Sequence, residues 1–197
     1  MIKLIIPFCC ILFYSCQDNK SNNNPQVLAV ANNDSIKSFS AVEKDSAYFI
    51  SYQFSKQTNR IGAAVYTYNN DDEKGFIILI DTASKSFKLI TNKRDTLILS
   101  FESDRVYTVN SKNYKVLKLI SDKGVTDGEV SYFFNTEIGL LLSKSNTWRI
   151  GKILNPEKNN SDYLQLTALF YKVLTDEEFY KPPTPQAEIK FTPPKIE

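Results

Sequence analysis

Between Ala47 and Leu154, apolar and polar side chains alternate with a period near two, as in strands that show one face to a core and the other to water. "AYFISYQF" is the clearest case: Tyr48, Ile50, Tyr52 and Phe54 share one face. "IGAAVYTY" repeats the pattern. "FIILI" (Phe76 to Ile80) is a continuous apolar run, which predicts a central strand covered on both faces. "SFKLIT", "DTLILSF", "RVYTVN", "YKVLKLI", "EVSYFF", "IGLLLS" and "TWRIGKIL" extend the series to about ten strands. The segments between them, such as "DTAS", "ESD", "NSKN" and "SDKGVTDG", are short and rich in turn formers. Such connections join antiparallel neighbours, because a parallel crossover needs a dozen residues or more. The expected fold is mainly β, an antiparallel meander that curls into a barrel or sandwich.

After "NPEKNNSD" the period changes. In "DYLQLTALFYKVL", Tyr163, Leu166, Phe170, Val173 and Leu174 recur at helical spacing, which predicts one C-terminal amphipathic helix near 162–174. Ser161 or Asp162 is its expected N-cap, and Thr175 with Glu178 forms a candidate capping box for a last short turn. The helix is expected to pack on the open end or a face of the sheet. Residues 181–197 carry Pro182, Pro183, Pro185, Pro193 and Pro194 and read as an extended tail. "AEIKF" within that tail is a candidate edge strand. "SKSFKLI" from Ser84 and "SKNYKVLKLI" from Ser111 share an opening that would suit blade-like repeats. Polar turns entering aromatic-led strands explain them more simply, and a propeller of at least four four-stranded blades does not fit.

The N-terminus breaks from this pattern. "MIKLIIPFCCILFYS" has one lysine, an uncharged run from Leu4 to Tyr14 and a small residue at position 15, the layout of an export signal. The run is too short to span a membrane as a helix, which needs about 20 residues. Cys16 follows, then polar "QDNKSNNNP". This segment resembles the signal peptide of bacterial lipoproteins, in which a small residue precedes a cysteine. Phe13 and Tyr14 stand where that class usually has an aliphatic and a small residue. The resemblance covers the first tenth of the chain. It implies that Cys16 is the lipid attachment site, acylated on sulfur (palmitate-type chains), and becomes the new N-terminus. Residues 1–15 would then be removed, 16–44 would be the lipidated cysteine with a flexible tether, and 45–180 the β-rich domain. Val27 to Val30 is a candidate brief strand within the tether. Cys9 and Cys10 would leave with the signal, so the mature chain would hold no disulfide. Gln17 is not the aspartate that retains some lipoproteins at the inner membrane, so the expected location is the outer membrane of a Gram-negative cell envelope.

Composition mostly removes possibilities. The formal net charge is +2 in 197 residues, too balanced to recruit nucleic acid. There is no histidine, so no Ser-His-Asp or Cys-His nucleophile and no histidine-ligated metal site can form. No serine has a lysine three positions on, and the six glycines form no phosphate-binding loop. No cofactor, metal or catalytic residue is therefore expected. Carboxylate-only chemistry survives, with Glu102, Asp104, Glu129 and Glu137 as acids at turns and strand ends, which are expected to be solvated. "NNDDEKG" offers oxygen ligands but lacks the spacing of a calcium loop. Lys112, Lys115 and Lys118 near Lys123 could be a basic stripe, or a lysine-bearing edge strand that discourages sheet association. Trp148 alternates with Ile150 and is expected in the core, although a lone tryptophan can also be a ligand platform. Tyr66, Tyr68 and Tyr132 to Phe134 could line a sugar- or peptide-binding face, or be ordinary sheet packing.

These features lead to a lipid-anchored envelope protein with a non-catalytic binding or structural role, its partner a protein or glycan. The rivals are a glycosidase-like envelope enzyme using acids alone and a lipidated inhibitor of immunity type.

Overall fold

A computed structural model of the chain describes residues 35–43, 46–58, 63–71, 75–91, 95–125, 127–148, 150–156 and 162–181. The export signal, Cys16, Val27 to Val30, part of "NNDDEKG" and the proline-rich tail with "AEIKF" lie outside the described residues.

Ten strands follow one another: β1 (Ser35–Glu43), β2 (Ser46–Thr58), β3 (Ala63–Asn69), β4 (Phe76–Asp81), β5 (Ser86–Thr91), β6 (Thr96–Val109), β7 (Lys112–Ser121), β8 (Val130–Asn135), β9 (Gly139–Ser145) and β10 (Ile150–Asn155). Helices α1 (Tyr163–Thr175) and α2 (Glu177–Tyr180) complete the described chain. Every strand pairs antiparallel with the next, and β10 returns to β1, so the meander closes into a barrel rather than a sandwich. Phe39 of β1 links the closure, opposite Leu154 on one side and Ile50 on the other.

The alternation in β2 is realised as read. Ile50, Tyr52 and Phe54 point into the barrel and are buried, with Tyr48 half-buried at one end. A ten-stranded barrel has more interior to fill than an eight-stranded one, and large rings fill it here. Tyr68 stacks on Phe76 with centroids 4.4 Å apart, Tyr66 meets Phe134 edge-on at 4.7 Å, and Phe54 lies 5.1 Å from Tyr68. Their polar tips are satisfied: Tyr66 donates to the Thr136 carbonyl at 2.7 Å, and Tyr68 accepts from the Leu140 N–H at 2.7 Å. Polar Ser51, Gln53, Lys88, Thr96 and Ser100 are exposed on the outer face. The same face also exposes the apolar side chains of Ile36, Phe49 and Ile98.

Several elements differ from the sequence expectation. The barrel begins at Ser35, inside the stretch expected to be tether, because Phe39 and Ala41 of "SIKSFSAVE" alternate with polar residues and supply an inward face. "DTLILSF" and "RVYTVN" are one strand, β6; the polar "ESD" between them is a bulge, with the register shifting between Phe101 and Ser103. "FIILI" is covered on one face: Phe76, Ile78 and Ile80 are buried while Ile77 and Leu79 are half-exposed. The echoing "SKSFKLI" and "SKNYKVLKLI" are hairpin entries with left-handed residues in the turns, Lys85 at φ 53° and Asn110 and Ser111 at φ 49° and 65°.

Strands buried on both faces do occur, at β7 and β8, because the helices lie across the outside of the barrel there. Leu166, Leu169, Phe170 and Val173 form the buried stripe of α1, while Leu164, Tyr171 and Leu174 are exposed, so its apolar residues are not confined to one face. Asp162 occupies the N-cap position without a side-chain capping bond, and its carbonyl accepts from Leu166 N–H. The short α2 is capped by Asp176, whose Oδ1 accepts from Phe179 N–H at 3.0 Å. Thr175 is not that cap: its hydroxyl donates back to the Tyr171 carbonyl. Phe179 packs 5.4 Å from Phe133 of β8 and 6.1 Å from Tyr107 of β6.

The same packing overturns both readings of the lysines. Lys118 is 3% exposed and donates to the carbonyl of Phe179 at 2.8 Å and to that of Lys181, closing the C-terminus of α2. Lys112 pairs with Glu137 at 2.9 Å, Lys115 with Asp104 at 2.8 Å and Lys123 with Glu102 at 2.6 Å. No basic stripe remains, and β7 has neighbours on both sides, so it is not an edge strand.

Candidate ligand site at the mouth of the barrel

Among the described residues, large buried side chains fill the barrel interior. Tyr66, Tyr68 and Phe134 of the anticipated aromatic face belong to this filling, so they are packing residues. At one end of the barrel β1 ends, β2, β8 and β10 begin and β9 ends.

That mouth holds a cleft of about 470 Å³, within the range of small-molecule sites. Ala41 and Lys152 contribute from the inner faces of β1 and β10, Tyr48 from β2, and Ser143 and Ser145 from β9. Asp127, Trp148 and Ile150 supply the rim. Trp148 is 56% exposed and does not lie in the core. The expectation failed because β10 starts at Ile150, so the alternation does not extend back to position 148.

Trp148 is exposed but held. Its Nε1–H donates to the Asp127 carbonyl at 3.2 Å, and its backbone N–H donates to Ser145 Oγ at 2.9 Å. The loop carrying it is fastened to the 121–129 loop by a buried polar network. Asn146 Nδ2 donates to Glu129 Oε1 at 2.5 Å, Asn146 N–H donates to the Glu129 carbonyl at 2.9 Å, and Ser131 Oγ lies 3.0 Å from Asn146 Oδ1. The second carboxylate oxygen of Glu129 takes the N–H of Gly124 at 2.9 Å. Glu129, Asn146 and Ser131 are all buried, where each bond counts for more than in water. With its own N–H engaged, the indole offers a ligand its ring face.

Lys152 donates to Tyr52 Oη at 3.0 Å, and its ammonium lies 5.3 Å from the Phe76 ring centre. Gly151 beside it lies against β9 so closely that a Cβ would come within 2.8 Å of the Ser143 carbonyl oxygen. The lining residues therefore include one lysine whose ammonium is turned toward Tyr52, one aspartate (Asp127), two serines and two aromatic residues.

The four acids singled out in the sequence do not converge. Glu102, Asp104 and Glu137 are engaged in the lysine pairs, and Glu129 is buried rather than solvated. The mouth contains one carboxylate, and two further clefts beside Ile36, Gln53 and Asn69 contain Asp71 alone between them. None of the three offers the acid pair a glycosidase uses. Among the described residues no group of three or more acids or cysteines could hold a metal ion.

Sequence reading placed Tyr48 on the inward face of its strand without assigning it to a site, and missed Asp127, Asn146 and Lys152. Lys152 had a usable signal, since it stands between Ile150 and Leu154 on the inward face of its strand. Asp127 and Asn146 had none, as their roles arise from two loops meeting in space. No family model, curated protein or solved structure matches the chain.

Proposed function

We propose that the chain is a lipid-anchored cell-envelope protein with a non-catalytic binding role, held by Cys16 at the outer membrane of a Gram-negative bacterium. The observation that carries the binding half is the hydrogen-bonded yet exposed Trp148 at the mouth of the barrel. A ring held in place while more than half exposed is poised to meet something from outside. The anchoring half is supported by the lipoprotein-like segment ending in Ser15 and Cys16. The chain from Cys16 to Ser35 can reach at most about 70 Å, which sets how far the domain can stand off the bilayer.

The test is Cys16→Ser in the native envelope, alongside treatment with globomycin, which blocks removal of lipoprotein signals. The wild type should enter the detergent phase, with acyl chains detected on its N-terminal peptide, while the variant accumulates with residues 1–15 attached. Identical processing and partitioning of the two proteins would refute the anchor.

A further inference from the structure

We propose that the mouth of the barrel binds a neutral glycan, with the face of one pyranose ring stacked on Trp148. The inference rests on the reading of this chain as a binding protein and names the ligand class for the same site. A pyranose is amphipathic in a particular way: its axial C–H bonds make an apolar face, and its equatorial hydroxyls project around the rim as donors and acceptors.

The cleft repeats that division. Trp148 and Tyr48 supply flat apolar surface, and Ala41 at the floor adds no bulk. Around them stand Ser143, Ser145, Lys152 and Asp127, residue types that together donate to and accept from hydroxyls; Lys152 already donates to Tyr52, and Ser145 Oγ already accepts from the Trp148 N–H. The indole N–H is already bound to the Asp127 carbonyl, so the ring meets a ligand through its face and not through its edge. Formal charges in the lining cancel, which selects against a strongly acidic or basic ligand. The rim is also organised in advance: the buried Glu129–Asn146–Ser131 network fixes the loop that carries Trp148, so little ordering has to accompany binding.

Trp148 is the only tryptophan in the chain, so its fluorescence reports on this site alone. The full-length protein is held in a detergent without a sugar headgroup and titrated with chitotriose, cellotriose and maltotriose. An acidic oligogalacturonate and a neutral tripeptide are titrated in parallel. The expected result is a saturable change in Trp148 emission with at least one neutral trisaccharide. Trp148→Ala should weaken the same binding by about tenfold or more in calorimetry, with unchanged circular dichroism. If only the acidic glycan or the peptide binds, and Trp148→Ala abolishes it, the neutral-glycan assignment is overturned while the mouth remains a binding site. If a neutral trisaccharide binds but Trp148→Ala leaves its affinity unchanged, the stacking proposal is overturned. If no probe produces a response from the folded protein, both the ligand class and the binding role assigned to the mouth are overturned.

Discussion

Asn146 Nδ2 donates to Glu129 Oε1 at 2.5 Å, and the loop that begins at this bond carries Trp148. Both oxygens of the Glu129 side chain act as acceptors, one for Asn146 and one for the Gly124 N–H. Glu129→Gln keeps the volume but turns one acceptor into a donor, so a buried N–H is left facing another. We expect a loss of about 1–3 kcal/mol, measured by chemical unfolding. Trp148 should show lower fluorescence anisotropy in the same variant. Unchanged stability together with unchanged anisotropy would show that the network does not hold the rim.

Lys118 fastens the helices to the barrel by donating to the carbonyls of Phe179 and Lys181. Lys118→Met keeps the stem but removes the donors. The variant should lose about 1–3 kcal/mol from the orphaned carbonyls, and the loss should be local. Amides of α2 and the last turn of α1 should exchange faster with deuterium, while those of β3 and β4 keep their rates. Uniform acceleration across the barrel would contradict a local anchor.

Gly139 sits at φ 98°, and a Cβ placed on it would overlap the hydroxyl of Tyr68. Gly139→Ala therefore suffers both a left-handed backbone penalty and a clash, together costing upwards of about 2 kcal/mol. Tyr68→Phe alone should cost about 1–3 kcal/mol, because the buried Leu140 N–H loses its acceptor. In the double variant the clash is gone, so the two losses should add to less than their sum. Strict additivity in thermal unfolding would refute the contact.

Stability should peak on the alkaline side of neutrality. Burial, followed by the charge of Lys118, holds the Lys144 pKa down to about 8, and burial also lowers Lys37 and Lys118. Unfolded lysines keep their protons to about pH 10.4, so above about pH 8 the unfolded state binds more protons and stability rises with pH. Burial raises Tyr66, Tyr68 and Tyr107 above the usual phenol value. Above about pH 10 the unfolded chain releases phenol protons that the folded one retains, and stability falls. Urea midpoints should therefore increase from pH 7 to pH 9 and drop by pH 11, with Lys144→Met flattening the first limb. A steady decline from pH 7 would contradict this assignment.

The strand series could be read from the sequence because alternation reports directly on which face meets the core. Even so, the expected strand total was reached with one strand split and another omitted. The bulge at Phe101 to Ser103 imitates a turn, since both place polar residues together. β1 was hidden by the asparagine-rich composition just before it, although Phe39 and Ala41 carry the inward pattern. Double-sided burial was assigned to "FIILI" because strand composition does not reveal where a helix will lie; the helices cover β7 and β8, where Lys118 interrupts the apolar run. The site was the least readable part. Trp148 was noticed, but its setting depends on Asp127 and Glu129 from a loop about twenty residues away.

The central claim, that Trp148 is an exposed yet fixed platform, is tested most directly by acrylamide quenching and time-resolved anisotropy of this single tryptophan. Red-shifted emission, strong quenching by acrylamide and an anisotropy decay governed by tumbling of the whole particle are expected. Blue-shifted emission with weak quenching would place Trp148 in the core, and a dominant fast local decay would show a ring that nothing holds; either result would contradict the account.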